Sequence, residues 1–265
     1  MAQFRGRVKL VAQNLDGSKT SLMLANSIGS QRILRTLKDR ELLTVYLVGQ
    51  GAGLLGGDRQ HLSFDLMSHS KLCIAPVAAS LVLGSRNETA IETIIIRLDK
   101  DTSFHWKAQP IIPFADSCIK RQIRIYLHAS SRLLWEEFFM PGRVSLGELF
   151  AMKKFRSRLV IHDLGKRVVL RENIDLPFDL VPINTLGLFG EATTMWNAWF
   201  YAPEDILEKI EPILKSYNAN SWWGWSYLPY RRGIGIKILG TPPQAVALRD
   251  YIRSHLESYL HSFKY

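Results

Sequence analysis

Apolar and polar residues alternate with period two over most of the first 175 positions, the signature of half-buried β-strands. Leu62-Ser63-Phe64-Asp65-Leu66 and Ile123-Arg124-Ile125-Tyr126-Leu127 are the clearest runs. The same reading gives strands at 43–48, 91–98, 133–140, 158–162 and 167–174. Gly, Asn, Asp or Pro punctuate the joints: Leu15-Asp16-Gly17-Ser18, residues 51–58, Arg86-Asn87, residues 110–114, Pro141-Gly142 and residues 163–166. Strands that recur roughly every 8–14 residues, with no helical run between them, predict a sandwich, a barrel or a β-solenoid. Alternation alone does not choose among the three.

The pattern changes after Pro177. Pro203-Glu204-Asp205 opens a helix, with two acids at the positive end of its dipole. Ile206, Ile210, Ile213 and Leu214 supply its apolar face, and Pro212 should kink it. A second helix starts near Pro242-Pro243 and spaces Ala245, Leu248, Ile252, Leu256, Tyr259 and Phe263 along one side. A strand-like run at 233–239 lies between them. The expectation is therefore a mainly β body over 1–175 and a small α+β part with two helices over 176–265, packed as one unit.

Composition narrows the partners. Thirty-four Lys and Arg against 24 Asp and Glu leave +10, which favours an acidic partner: nucleic acid, anionic lipid or acidic protein. Two cysteines, Cys73 and Cys118, exclude a disulfide scaffold and a four-cysteine zinc site, and suit a reducing cytoplasm. The first residues lack the continuous apolar core of a secretory leader, and no run reaches the ~18 apolar residues a membrane span needs.

Local catalytic signals are weak. Gly51-Ala52-Gly53-Leu54-Leu55-Gly56 fits a dinucleotide-binding glycine pattern, but an alternating strand follows where a phosphate-binding helix would be required. A glycine turn between strands is the better reading. The seven histidines show no metal-ligand spacing and read as surface or singly hydrogen-bonded groups. No serine or cysteine nucleophile sits in a recognisable setting. Glu136-Glu137, adjacent on a strand, face opposite sides, so one should meet solvent and the other point inward, with Arg143 the nearest partner. Trp222-Trp223-Gly224-Trp225 before Arg231-Arg232 fits core packing first, a protein interface second and base stacking last. Lys153, Lys154, Arg156, Arg158, Lys166, Arg167 and Arg171 form a basic run, either a solvated face or a dock for an acidic partner.

Four ordered blocks resemble the urease accessory proteins of the UreD/UreH family. They are Val45-Tyr46-Leu47 leading to Gly56-Gly57-Asp58-Arg59, and Phe104-His105-Trp106 leading to Pro113-Phe114. Then come Ser131 to Glu137 with Gly142-Arg143 and Gly147-Glu148, and Val169-Leu170-Arg171-Glu172. The match spans about residues 30–175, and the tail fits more loosely. The family's small-residue run keeps Ala78-Ala79-Ser80 here but loses its Lys and aromatics, and Lys237 stands where the family has Arg.

The resemblance implies a non-enzymatic, mostly β chaperone of the cytoplasm. It would bind apo-urease and a UreF-like protein, and through that protein a UreG-like GTPase, assembled as a dimer of such complexes. Nickel would pass transiently through a polar interior without a fixed site, with Asp58, Ser80, Glu137 and Glu172 as the transit candidates. Gly56, Gly57, Gly142 and Gly147 would shape tight turns, Arg143 would pair an internal acid, and Pro113, Phe114 and Glu148 complete the motif. The rival readings are a basic β-rich nucleic-acid-binding protein and, ranked last, a small-molecule enzyme using Glu136 and Glu137.

Overall fold

A computed structural model describes residues 5–15, 19–39, 41–85, 88–177, 188–217 and 222–261. The chain opens with β1 (Arg5–Gln13), β2 (Ser21–Ile28), β3 (Gln31–Asp39) and β4 (Leu42–Gly49). It then crosses back and forth between two sheets. β5 (Arg59–Leu66), β8 (Ala90–Leu98), β11 (Cys118–Leu127) and β13 (Lys154–Asp163) join β1 in parallel in a seven-stranded sheet. β6 (Lys71–Pro76), β9 (Ser103–Trp106) and β12 (Arg132–Phe139) extend β4 in parallel in a ten-stranded sheet. Short strands β7 (Ser80–Val82) and β10 (Ile111–Pro113) pair with each other at its margin. Each coil thus lays one strand in each sheet, so the body is a solenoid-like sandwich.

The rest of the chain is antiparallel. β14 (Val168–Pro177) closes the seven-stranded sheet, while β15 (Thr194–Tyr201), β16 (Trp222–Tyr227) and β17 (Gly233–Gly240) extend the ten-stranded one. The outer pairings β1–β2, β3–β4 and β13–β14 each carry a register shift. Every strand read from the sequence is present with its ends moved by a few residues. The joints at residues 16–18 and 86–87, and Phe263, lie outside the described residues.

The core follows the alternation. Val8 and Leu10, Leu62 and Phe64, Ile94 and Ile96, and Ile123 and Ile125 point from one sheet into the other. They meet Val45, Ile74, Phe104, Trp106 and Trp135; Trp106 stacks on Trp135 at 5.3 Å and Phe64 lies 6.0 Å from Trp106. Full burial of such side chains stabilises by roughly 1.5–3 kcal/mol each.

Helix α2 (Pro242–Leu260) buries Ala245, Leu248, Ile252, Leu256 and Leu260 against the far face of the ten-stranded sheet. Its start is tied by Thr241, whose N–H and hydroxyl both donate to Gln244 Oε1, at 3.1 and 2.9 Å. Helix α1 (Glu204–Ser216) begins after Pro203 and runs on through Pro212, burying Ile206, Leu207, Ile210 and Leu214. Trp223 and Trp225 of β16 are half-buried against this helical side, with Trp223 5.8 Å from Tyr217, whereas Trp222 is exposed. Among the described residues no helix is long and apolar enough to cross a membrane.

Candidate functional site

The ten-stranded sheet is covered twice, by the other sheet and by α2. Strand β12 is consequently buried along its whole length. Glu136 and Glu137 do face opposite sides, as alternation requires, yet neither meets solvent: their exposures are 0% and 6%. The expectation that one of them is exposed fails because a second cover, α2, lies over the face assumed to be wet.

Glu137 points between the sheets. It accepts from Arg121 Nη1 at 2.8 Å and from Ser157 Oγ at 3.0 Å. Arg121 Nε also donates to Glu92 Oε2 at 2.7 Å. Gln60, Glu92, Arg121 and Ser157 occupy register-matched positions on four neighbouring strands of the seven-stranded sheet. Glu137, Asn197 and Lys237 are matched in the same way on three strands opposite. Strands lie about 4.8 Å apart, so these side chains form a polar layer across the width of the sandwich.

This layer is short of positive charge at its centre: two carboxylates share one guanidinium. Burial pushes the Glu137 carboxyl above the usual carboxylate range despite Arg121 and Ser157, with Glu92 adding to the rise. Burial opposes the charge on Arg121, but Glu92 and Glu137 outweigh it and hold the guanidinium protonated. Gln60 Nε2 and both polar atoms of the Asn197 side chain are buried without a protein partner. Such atoms cost about 1–3 kcal/mol unless water or a ligand meets them.

The other candidates are spread around this layer. Ser80 on β7 lines a cavity of about 240 Å³ together with Gln60, Gly53 and Leu54. Asp58 is buried at the turn before β5, where its Oδ2 accepts the Leu55 N–H at 2.9 Å. Gly56 packs so tightly that an added Cβ would lie 1.9 Å from Ser85 Oγ and 2.4 Å from the Glu88 carbonyl oxygen, and Gly57 completes this turn. The strand that follows, instead of a helix, rules out the dinucleotide reading of the glycine run. Glu172 on β14 reaches across the sandwich to Lys237 Nζ.

Arg143 does not serve Glu137. It pairs with Glu148 and lies over the Phe114 ring at 4.5 Å, while Glu148 Oε1 accepts the Ala115 N–H at 2.8 Å. Gly142, at φ +115°, lets this loop fold back: an added Cβ would sit 2.4 Å from the Glu148 carbonyl oxygen. Arg143 and Glu148, with Pro113, Phe114 and Gly147, therefore build a local clamp, because the chain turns away from β12 at Pro141. The partner that Glu137 does use, Arg121, comes from another strand.

Glu136 faces α2 and is saturated. His105 Nε2 lies 2.6 Å from its Oε1, Trp196 Nε1 donates to Oε2 at 3.0 Å, and Arg253 Nε donates to Oε1 at 3.0 Å. The reading of the histidines as surface or singly bonded groups fails at His105, which is fully buried and also lies 3.9 Å from Cys73 Sγ. Burial alone would lower its pKa, but Cys73 and Glu136 raise it to about 9. Burial likewise opposes ionisation of Glu136, yet His105 and Arg253 bring its pKa down to about 2. Beyond this network opens a cavity of about 980 Å³, with His105, Glu257 and His261 in its wall.

Arg121 and Glu92 were visible in the pattern. Arg121 stands in the inward lane of Ile119, Ile123 and Ile125, and Glu92 in that of Ala90, Ile94 and Ile96. A charge in an otherwise apolar lane is the signal. Among the described residues no group of three or more His, Cys, Asp or Glu is arranged to hold a metal ion.

Comparison with known proteins gives a consistent answer. Residues 4–262 match the family model described as UreD urease accessory protein. The urease accessory protein UreD of Halalkalibacterium halodurans is 27% identical over 84% of this chain and 79% of its own length. That of Trichodesmium erythraeum is 27% identical over 79% of this chain and 76% of its own. The urease accessory protein UreH of Helicobacter hepaticus is 27% identical over 71% of this chain and 75% of its own. With two sheets wound from alternating strands and a family match that runs from one end to the other, this chain belongs to the UreD family of urease accessory proteins.

Proposed function

We infer that this chain is a non-catalytic maturation factor that binds apo-urease together with UreF-like and UreG-like partners and passes nickel along its inter-sheet polar layer. Family membership supplies the role in urease maturation. The observation that carries the finer reading is the buried Glu92–Arg121–Glu137 cluster with its excess carboxylate.

The chemistry favours transit over storage. Nickel ranks high among divalent ions in its affinity for nitrogen and sulfur ligands, so a Cys/His cage would retain it. Carboxylate oxygens already shared with Arg121 and amide groups spread along the layer would hold it weakly. An acid pushed above its usual range by burial gains from exchanging its proton for a cation. On this reading Ser80 and Gln60 stand at one mouth of the path, Glu137 and Asn197 in the middle, and Glu172 with Lys237 at the other. Asp58 keeps the first turn in shape. Work in the cytoplasm agrees with two cysteines outside any disulfide, Cys73 and Cys118.

The test co-expresses urease and its accessory proteins with Glu137→Ala or Glu92→Ala in this chain, then measures nickel per urease active site and the composition of the complex. The expected result is a several-fold drop in nickel with the complex still assembled. Full nickel content in both variants would falsify the path.

A further inference from the structure

The outer face of the seven-stranded sheet has no part in the function argued so far. Period-two alternation sends the polar half of β1, β5, β8, β11, β13 and β14 to this face, and the register stacks those positions into rows. One row runs Arg5, Arg59, Ile91, Lys120, Arg156. The third runs Lys9, Ser63, Ile95, Arg124, Val160, Arg171. Arg7 and Arg158 lie in the row between them, and all of these cations are exposed. The carboxylates Asp65 and Asp175 are each already engaged, by Arg97 at 2.9 Å and by Arg156 at 2.8 Å.

Such an arrangement works against the fold. Arg5 is directly opposite Arg59, and Lys120 is directly opposite Arg156, whose charge Asp175 already offsets. Like charges facing each other across neighbouring strands are destabilising. A surface that keeps them gains when negative charge covers it. Within it, Arg124, Arg158 and Arg171 converge on a shallow cavity of about 160 Å³, floored by Gln122, Val160 and His162. Tyr126 stacks on His162 at 5.1 Å and fixes its ring, whose Nδ1 is buried and has no partner in the protein.

We propose that this face docks an acidic protein surface, with Arg124, Arg158 and Arg171 gripping one of its carboxylate side chains. Six strands at about 4.8 Å spacing and ten residues at about 3.3 Å rise give a face of roughly 700 Å². That approaches the ~800 Å² per partner of a standard interface. Its relief and chemistry fit protein rather than polynucleotide. Half-buried Ile91, Ile95 and Thr93 separate the cations, which suits a mixed apolar and acidic surface. Single strands need a row of stacking aromatics, and here Tyr126 is already stacked on His162. The face of a sheet also offers no helix or ribbon to enter a duplex groove. The proposal rests on the urease-maturation reading, since the acidic partner is sought within that assembly.

The test tags the full chain and co-expresses it with the urease subunits and the UreF-like and UreG-like proteins of the same system. It compares wild type with Arg124→Glu/Arg158→Glu/Arg171→Glu. The control, Lys38→Glu/Lys209→Glu/Lys215→Glu, changes the net charge equally on other surfaces. Co-eluting proteins are quantified at 50, 150 and 400 mM NaCl, with circular dichroism and thermal midpoint as folding checks. At 150 mM the arginine variant is expected to lose one partner about tenfold while the control keeps it, and wild-type capture should fall steeply with salt. A folded arginine variant that keeps every partner overturns the surface and leaves the maturation reading intact. A wild-type chain that captures none of these proteins overturns the maturation reading, and the surface falls with it. Tighter binding of a 20-nucleotide RNA than of any partner, lost in the same variant, reassigns the face to nucleic acid.

Discussion

Glu136 and Glu137 are chemically identical neighbours on β12, and the two sides of that strand make opposite use of them. On the α2 side one carboxylate receives His105, Arg253 and Trp196, and its pKa falls to about 2. On the inter-sheet side two carboxylates divide one arginine beside amides with no partner, and the Glu137 carboxyl rises. The first environment is closed and holds α2 to the sheet. The second is undersupplied with positive charge, which is the condition the proposed cation path requires. Burial alone does not separate a structural carboxylate from a functional one; the balance of donors around it does.

That contrast can be broken most forcefully at Glu136. Glu136→Ala leaves Arg253 and His105 buried without their anion, and should cost about 3–5 kcal/mol in urea denaturation or prevent soluble expression altogether. Glu137→Gln removes the surplus charge while keeping a group for Arg121 and Ser157, so stability should change by less than about 1 kcal/mol. Nickel delivery, measured as metal per urease active site, should still fall several-fold. Equal loss of stability in both variants would erase the distinction.

The pH dependence sharpens it further. His105 is raised from 6.5 to about 9, so its contribution is complete below pH 6.5 and is lost as pH climbs through 9. Glu136 is lowered to about 2, so its contribution is present above about pH 4.5 and is lost as pH falls toward 2. Unfolding free energy should drop by on the order of 2 kcal/mol between pH 6.5 and 9, a drop that His105→Gln should flatten. The smallest effect belongs to the rim of the layer. Lys237→Ala breaks a partly exposed pair with Glu172 and should cost no more than about 1 kcal/mol by the same denaturation assay.

Much of this architecture could be read along the chain. The inward lanes of β1, β8 and β11 announce themselves as every second residue, and Pro203 and Pro242 mark both helices. The choice of a solenoid over a barrel could not, because it depends on which strands cross between sheets, and alternation is blind to that. At the site, alternation gave one inward acid of the Glu136-Glu137 pair, and only the family resemblance singled out Glu137. Its partner was not, since Arg121 lies 16 positions away on another sheet and Arg143, only six away, looked nearer. The burial of Glu136 was hidden for a related reason: Arg253 and His105 come from 117 and 31 residues off.

The shifted registers at β1–β2, β3–β4 and β13–β14 carry a last consequence. Parallel coils expose a straight rim of unpaired amides at each end, onto which another molecule could add its own strand and then another without limit. An irregular antiparallel strand at three of the four rims bends that template out of line. A chain with two tall sheets can then be produced alongside its partners without growing into fibrils. Straightening the Ile33–Arg35 irregularity by deleting Leu34 should make the isolated protein more prone to assemble end on end.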